Sequence, residues 1–104
     1  MPSIPELFAM MPSRFQTGVL DKDKTYYFSL GDHKYTAFLG PSGCRVETGK
    51  AVENADVVLK ATPELFLAMV TQGKMPSAWD IAKGAIKTND VSGLADLGKL
   101  FRFS

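Results

Sequence analysis

The residues able to carry out chemistry are few and far apart. His33 and Cys44 are the sole histidine and the sole cysteine of the 104-residue chain. A nucleophile needs a base within reach and a third group to orient that base. His33 stands beside a turn, with no Gly-x-Ser-x-Gly elbow and no neighbouring carboxylate pattern, so it gives no triad and reads as an exposed side chain. Cys44 opens an alternating segment and reads as a buried strand residue. No His/Cys cluster has zinc spacing. Gly93, Gly98 and Lys99 have the opening of a phosphate-binding loop, but Leu100 stands where Ser or Thr should hold magnesium. The leucines between those glycines keep helical period instead. Asp21, Asp23 and Thr25 resemble the start of a calcium loop, but its sixth position, which needs Gly, is Tyr26. A solvated charged turn is the better reading. The sequence therefore predicts no catalytic residue, no metal site and no cofactor.

Composition narrows the partners. Hydrophobic residues are 45% and charged residues 22%, with a formal net charge of +1, ordinary for one globular domain spanning residues 1–104. The 12 basic residues are scattered without a run or stripe, which argues against nucleic acid. No apolar run approaches the roughly 20 residues of a membrane span. No basic region precedes an apolar run near Met1, so no signal peptide is expected, and Phe101-Arg102-Phe103-Ser104 is not a Ser-Lys-Leu-type peroxisomal address. A lone cysteine can form no intrachain disulfide. Together these features predict a cytoplasmic protein.

With no chemistry to position, the elements themselves become informative. Residues 62–103 read as helix, short helix, strand, helix. Thr62 can cap the first of these, Pro63 suits its first position, and Glu64 favours the positive end of its dipole. Leu65, Phe66, Met69 and Val70 then share one face, and Gly73 supplies a left-handed stop. Asp90 suits the cap of the last helix, where Leu94, Leu97, Leu100 and Phe101 form a second apolar stripe. Near the start, Ser3 and Glu6 have the form of a capping box. They open a short helix through Leu7, Phe8, Met10 and Met11 that Pro12 should end. Ser13 to Gly18 can add a turn, with Phe15 inward.

Between these helices the period changes to two. Thr25–Leu30, Lys34–Leu39, Cys44–Thr48 and Asp56–Ala61 read as strands separated by Gly31-Asp32, by Gly40-Pro41-Ser42-Gly43 and by a loop from Gly49 to Asn54. Ala85–Thr88 is a fifth strand. This spacing suggests an antiparallel meander of the first four, with helices on one face. Tyr26, Phe28 and Leu30, then Tyr35, Ala37 and Leu39, then Cys44 and Val46 would form its apolar face. Either Val57 and Leu59 or Val58 would continue it. The pattern leaves the register open, and a one-residue slip would exchange the two faces.

The ordered series resembles the sterol carrier protein 2 (SCP2) family. It runs through Asp56-Val57-Val58-Leu59, Thr71-Gln72-Gly73-Lys74-Met75, Gly84-Ala85-Ile86-Lys87-Thr88-Asn89-Asp90, Gly93-Leu94-Ala95 and Leu97-Gly98-Lys99-Leu100-Phe101. The likeness covers residues 15–101. Two departures stand out. Asn89 replaces the Gly that usually precedes Asp after the last strand; Asn tolerates the left-handed conformation, so the turn should survive. Gly84-Ala85 replaces Gly-Lys at the entry to that strand, leaving no basic group there.

The resemblance implies an α+β fold in which helices cover one face of a five-stranded, mostly antiparallel sheet, with an apolar tunnel between them. It implies a non-enzymatic lipid-binding or lipid-transfer protein whose partner is a small-molecule lipid: a fatty acid, a fatty acyl-CoA, a sterol or a similar ligand. By position the walls are Phe28, Leu30, Ala37 and Leu39 from the sheet. Phe66, Met69, Val70, Met75, Trp79, Ile86, Leu94, Leu97 and Phe101 come from the second half. Met69 and Met75 would suit a wall that adapts to several ligands. Lys74, Lys83 and Lys87 are the candidates to meet a polar head at the mouth. Transient contact with a membrane surface is a further expectation. The alternative is an accessory module that dimerises or docks onto an enzyme of lipid or quinone metabolism. Pattern alone leaves a third account open, in which the same stripes are simply a filled core.

Overall fold

A computed structural model describes residues 3–72, 84, 86–90, 96, 100 and 101. The chain opens with α1 (Ile4–Arg14), follows with β1 (Lys24–Leu30), β2 (His33–Gly40), β3 (Gly43–Thr48) and β4 (Val57–Ala61), then α2 (Pro63–Gln72) and β5 (Ile86–Thr88).

The first helix begins where the sequence places it. The Ser3 hydroxyl accepts from the Glu6 backbone N–H at 3.3 Å, and the Glu6 carboxylate accepts from the Ser3 N–H at 3.4 Å. Ile4, Leu7, Phe8 and Met11 are buried at helical spacing. The helix does not stop at Pro12, which lies inside it. Proline lacks the N–H that would bond the Phe8 carbonyl, but only two residues follow, so the missing bond falls in the last turn, where termination is close anyway. The Ser13 hydroxyl donates to the Met10 carbonyl there at 2.8 Å.

The five strands form one sheet in the order β3-β2-β1-β4-β5. The first three are the expected meander. Gly31, at φ 65°, occupies the first position of the two-residue β1–β2 turn, where a positive φ is required. The fourth strand departs from expectation. Instead of following β3 at the edge, β4 crosses back and lies parallel to β1, with Tyr26 opposite Val57 and Phe28 opposite Leu59. Alternation decides which face a residue joins but not which strand is its neighbour. β4 carries buried Val57 and Leu59, which suit a position between two strands, whereas β3 carries Arg45 and Glu47 and suits an edge. The sheet thus stays mostly antiparallel, with one parallel pair at its centre.

That register also decides between the alternatives in β4. Val57 and Leu59 are buried on the inner face, and Val58 is half-exposed on the outer one. Both described helices pack on the inner face. The Thr62 hydroxyl caps α2 by accepting from the Leu65 N–H at 3.2 Å, and Phe66 on that helix stacks on Phe8 at 5.7 Å and meets Phe28 edge-on at 5.3 Å. One apolar cluster results, running from Ile4 through the sheet to Leu100 and Phe101.

Candidate functional site

The inner face of the sheet is the candidate site. Neighbouring strands set Tyr26 beside Ala37 and Val57, and Phe28 beside Tyr35 and Leu59. Leu39 faces Cys44 and Ala37 faces Val46 on the β3 side. On the other side Ala61 faces Ile86. Of the proposed wall residues, Phe28, Leu30, Ala37, Leu39, Phe66, Met69, Ile86 and Phe101 are all buried and all join the same cluster. Leu65 is partly buried against it. Val70 lies within α2, but its side chain falls outside the described residues, as do Met75, Trp79, Leu94 and Leu97. Gly73 and Lys74 fall outside them too, as does the short-helix segment that includes Lys83. Asp96 and Leu100 are helical, in keeping with helical period through the region that mimics a phosphate loop.

Two residues behave differently from expectation. Lys87 alternates with buried Ile86, is exposed, and sits opposite Lys60 on the outer face. It therefore cannot meet a ligand's polar head at the inner face. Asn89 does not use the left-handed conformation, since no non-glycine described residue has a positive φ. Its side chain does the work instead. Oδ1 accepts from the Val58 N–H at 2.7 Å, and Nδ2 donates to the Asp56 carbonyl at 3.4 Å. The amide thus ties the end of β5 to the start of β4, which no hydropathy pattern reveals.

The ionisable groups at this face are held neutral. Tyr26 is wholly buried. Desolvation, followed by the negative charges of Asp96, Asp90 and Asp56, pushes its phenol well above the ordinary value. Tyr26 thus brings a neutral hydroxyl to an apolar wall. The sequence reads Tyr26 as part of the sheet's apolar face; the signal that it also brings polarity is its type, because a buried Tyr hydroxyl needs a partner. Cys44 lies in β3 as expected but is half-buried rather than buried; desolvation still pushes its thiol up to about 11, so almost no thiolate exists at neutral pH. His33 is half-buried at the start of β2 rather than fully exposed. The arrangement can enclose apolar matter, and it presents no activated nucleophile among the described residues. Nor is any helix among them long and apolar enough to cross a membrane.

Solved structures with the same layout identify the architecture. A UbiJ-SCP2 ubiquinone synthesis protein matches with TM-score 0.64 at 12% identity, over 91% of this chain and 95% of that one. The apo form of sterol carrier protein 2 from Yarrowia lipolytica matches with TM-score 0.50 at 17% identity, over 76% of this chain and 65% of that one. The chain has the SCP2-like fold. The stereoselective inverting sec-alkylsulfatase Pisa1 from a Pseudomonas species also contains this SCP2-like arrangement, with TM-score 0.76 at 21% identity over 93% of this chain. The present chain spans only 16% of that enzyme's length. No protein-family model matches the sequence, and no curated protein does.

Proposed function

We propose that this SCP2-like chain is a lipid-binding module. It holds a long-chain apolar ligand between the inner face of the sheet and the helices that follow β4. The observation that carries this reading is the match to SCP2 structures over nearly the whole chain, together with an inner face where every described wall residue is apolar and buried. Phe28, Leu30, Ala37, Leu39 and Ile86 form the floor; Phe66, Met69 and Phe101 close over it. Val70, Met75, Trp79, Leu94 and Leu97 complete the tunnel by their places in the resemblance. Lys74 and Lys83, outside the described residues, remain the candidates for a ligand's polar head. Fatty acids, fatty acyl-CoA, sterols and related lipids are the ligand class.

Binding of this kind needs no catalytic group. Burying one methylene is worth about 0.8 kcal/mol, so a chain of roughly 14 methylenes gains on the order of 11 kcal/mol before ordering costs. An empty, dry void of roughly 300 Å³ would cost about 7 kcal/mol, comparable to the stability of a small domain. The unliganded protein should therefore collapse partly, admit water, or carry host lipid.

A second reading has its own support. The match to about one-sixth of an alkylsulfatase and to a ubiquinone synthesis protein favours a module that serves an enzyme of lipid or quinone metabolism, whether or not it carries the lipid itself. Native mass spectrometry followed by organic extraction tests the first reading. One added lipid mass per chain is expected. A bare chain mass with no thermal response to fatty acids, acyl-CoA or sterols would overturn it. One enzyme recovered stoichiometrically by affinity capture would then favour the second.

A further inference from the structure

The outer face of the sheet carries a feature that the lipid reading does not use. Lys34, Ser29, Lys60 and Lys87 form one row across four adjacent strands. Ser29 is in register with Lys34 on β2 and with Lys60 on β4, and Lys60 is in register with Lys87 on β5. At about 4.8 Å between strands, Lys34 and Lys60 start only about 10 Å apart across Ser29. Their side chains can therefore converge above its hydroxyl. Like charges directly opposite each other in an antiparallel pair are unfavourable, yet Lys60 and Lys87 face each other in this way. Among the described residues neither has an ion-pair partner; the ion pair described on this face is Arg45 with Glu47, at 3.6 Å.

The row lies in a built groove. The loop after β3 folds back over the outer face and is fixed there. The buried Thr36 hydroxyl donates to the Gly49 carbonyl at 2.8 Å and accepts from the Ala51 N–H at 2.9 Å. The Gly49 N–H donates to the Lys34 carbonyl at 2.7 Å. Asn89, held by its two bonds to β4 and the residue before it, forms the opposite rim. Between them is a groove of about 430 Å³ that gathers Lys34, Lys50 and Lys60 around Ser29, with Glu53 as its carboxylate. A smaller hollow continues it past Asn89 to Lys87. Lys34 Nζ donates to the Gly31 carbonyl at 3.1 Å, and Lys50 Nζ stands 5.7 Å above the Tyr27 ring.

We propose that this groove is a second binding site, for a phosphate monoester, either free or as a lipid headgroup. Three lysines against one carboxylate leave an excess of two positive charges, which a dianion matches. Lysines act as point charges that can surround a tetrahedral anion from several sides. Among the described residues that line the groove there is no arginine; Arg45 lies elsewhere on this face, over the Phe38 ring. The Ser29 hydroxyl and the Asn54 amide add neutral donors within the same groove. The site is on the opposite side of the sheet from the apolar cluster and does not depend on the interior being filled with lipid.

Glycerol 3-phosphate and phosphatidic acid distinguish the two sources. Titration calorimetry with glycerol 3-phosphate, and sedimentation with phosphatidylcholine vesicles containing or lacking phosphatidic acid, are both done at low salt, where screening is weak. Binding to the soluble ester marks a free phosphate site. Binding only to phosphatidic acid vesicles marks a headgroup site. In either case Lys60→Gln should weaken binding about fivefold, equivalent to about 1 kcal/mol, and Lys34→Gln similarly. Lys22→Gln, in the exposed loop before β1, should leave it unchanged. All three positions are exposed, and matched melting curves would confirm that the variants fold. Absence of binding to both probes overturns the proposal, as does equal weakening by Lys60→Gln and Lys22→Gln.

Discussion

The two faces of this sheet are made of the same strands and separated by one residue of register. On the inner face, Phe28 meets the stacked rings of Phe8 and Phe66 edge-on in a buried aromatic group. On the outer face, Ser29 sits one position further along β1, between Lys34 and Lys60. The inner face is stabilised without regard to direction, by area removed from water. The outer face is held by directed bonds from Thr36, Asn89 and Asp56 side chains, the last accepting from the Thr25 N–H at 2.8 Å. The inner face should therefore tolerate changes of shape that keep its apolar volume. The outer face should tolerate changes of volume but not the loss of a donor or acceptor.

The sharpest way to break this contrast is Phe28→Ala. It removes a wholly buried ring and should cost about 3–5 kcal/mol in chemical denaturation. Phe28→Leu, which keeps apolar character, should cost much less. On the outer side, Asn89→Gly should lose about 1–2 kcal/mol by leaving the Val58 N–H without its acceptor. A turn that needed only left-handed freedom would be unharmed by this change, so an unaltered midpoint would show that the side-chain bonds carry no weight.

Alkali should attack the inner face first. Tyr26 and Cys44 both have folded-state values raised by burial, the thiol from 9.0 to about 11. Their neutral forms are favoured by folding, so this contribution is fully present below the unfolded value and is lost as pH rises through the folded one. Stability should decline from about pH 9 towards 11, and the decline should be shallower in Cys44→Ala and in Tyr26→Phe. The smallest effect expected is Lys87→Thr, which relieves the repulsion with Lys60. It should raise stability by a few tenths of a kcal/mol at low salt and by less at high salt.

Much of the inner face is legible in the sequence because burial imposes a period. Tyr26, Phe28 and Leu30 alternate with Tyr27 and Ser29, and the helix caps at Ser3 and Thr62 have fixed chemical spacings. The described wall residues come together for the same reason. What is not legible depends on who neighbours whom. The insertion of β4 beside β1 is invisible to alternation, because an apolar strand satisfies the same face at the edge or at the centre. Lys34, Lys60 and Lys87 each look like an ordinary solvated side chain until the register aligns them. Asn89 looks like a backbone device until its amide is found bridging two strands. Pro12 looks like a stop because the rule is about a missing bond, and the rule weakens where the helix is about to end.

The parallel pairing of β1 with β4 bears on how the chain finds its fold. The β1–β2 and β2–β3 pairs are closed by two-residue turns, whereas Thr25 and Asp56, which join the start of β1 to the start of β4, are 31 residues apart in sequence. Closing the longer loop costs about 2 kcal/mol more in chain entropy, so the three-stranded hairpin should assemble before the fourth strand docks. Mutations in the β1–β2 hairpin should then slow folding, while mutations in β4 should mainly hasten unfolding. The strand that docks after the hairpin is also the one that carries Lys60 and receives β5 with Lys87. The groove on the outer face would thus be completed only at the end of folding.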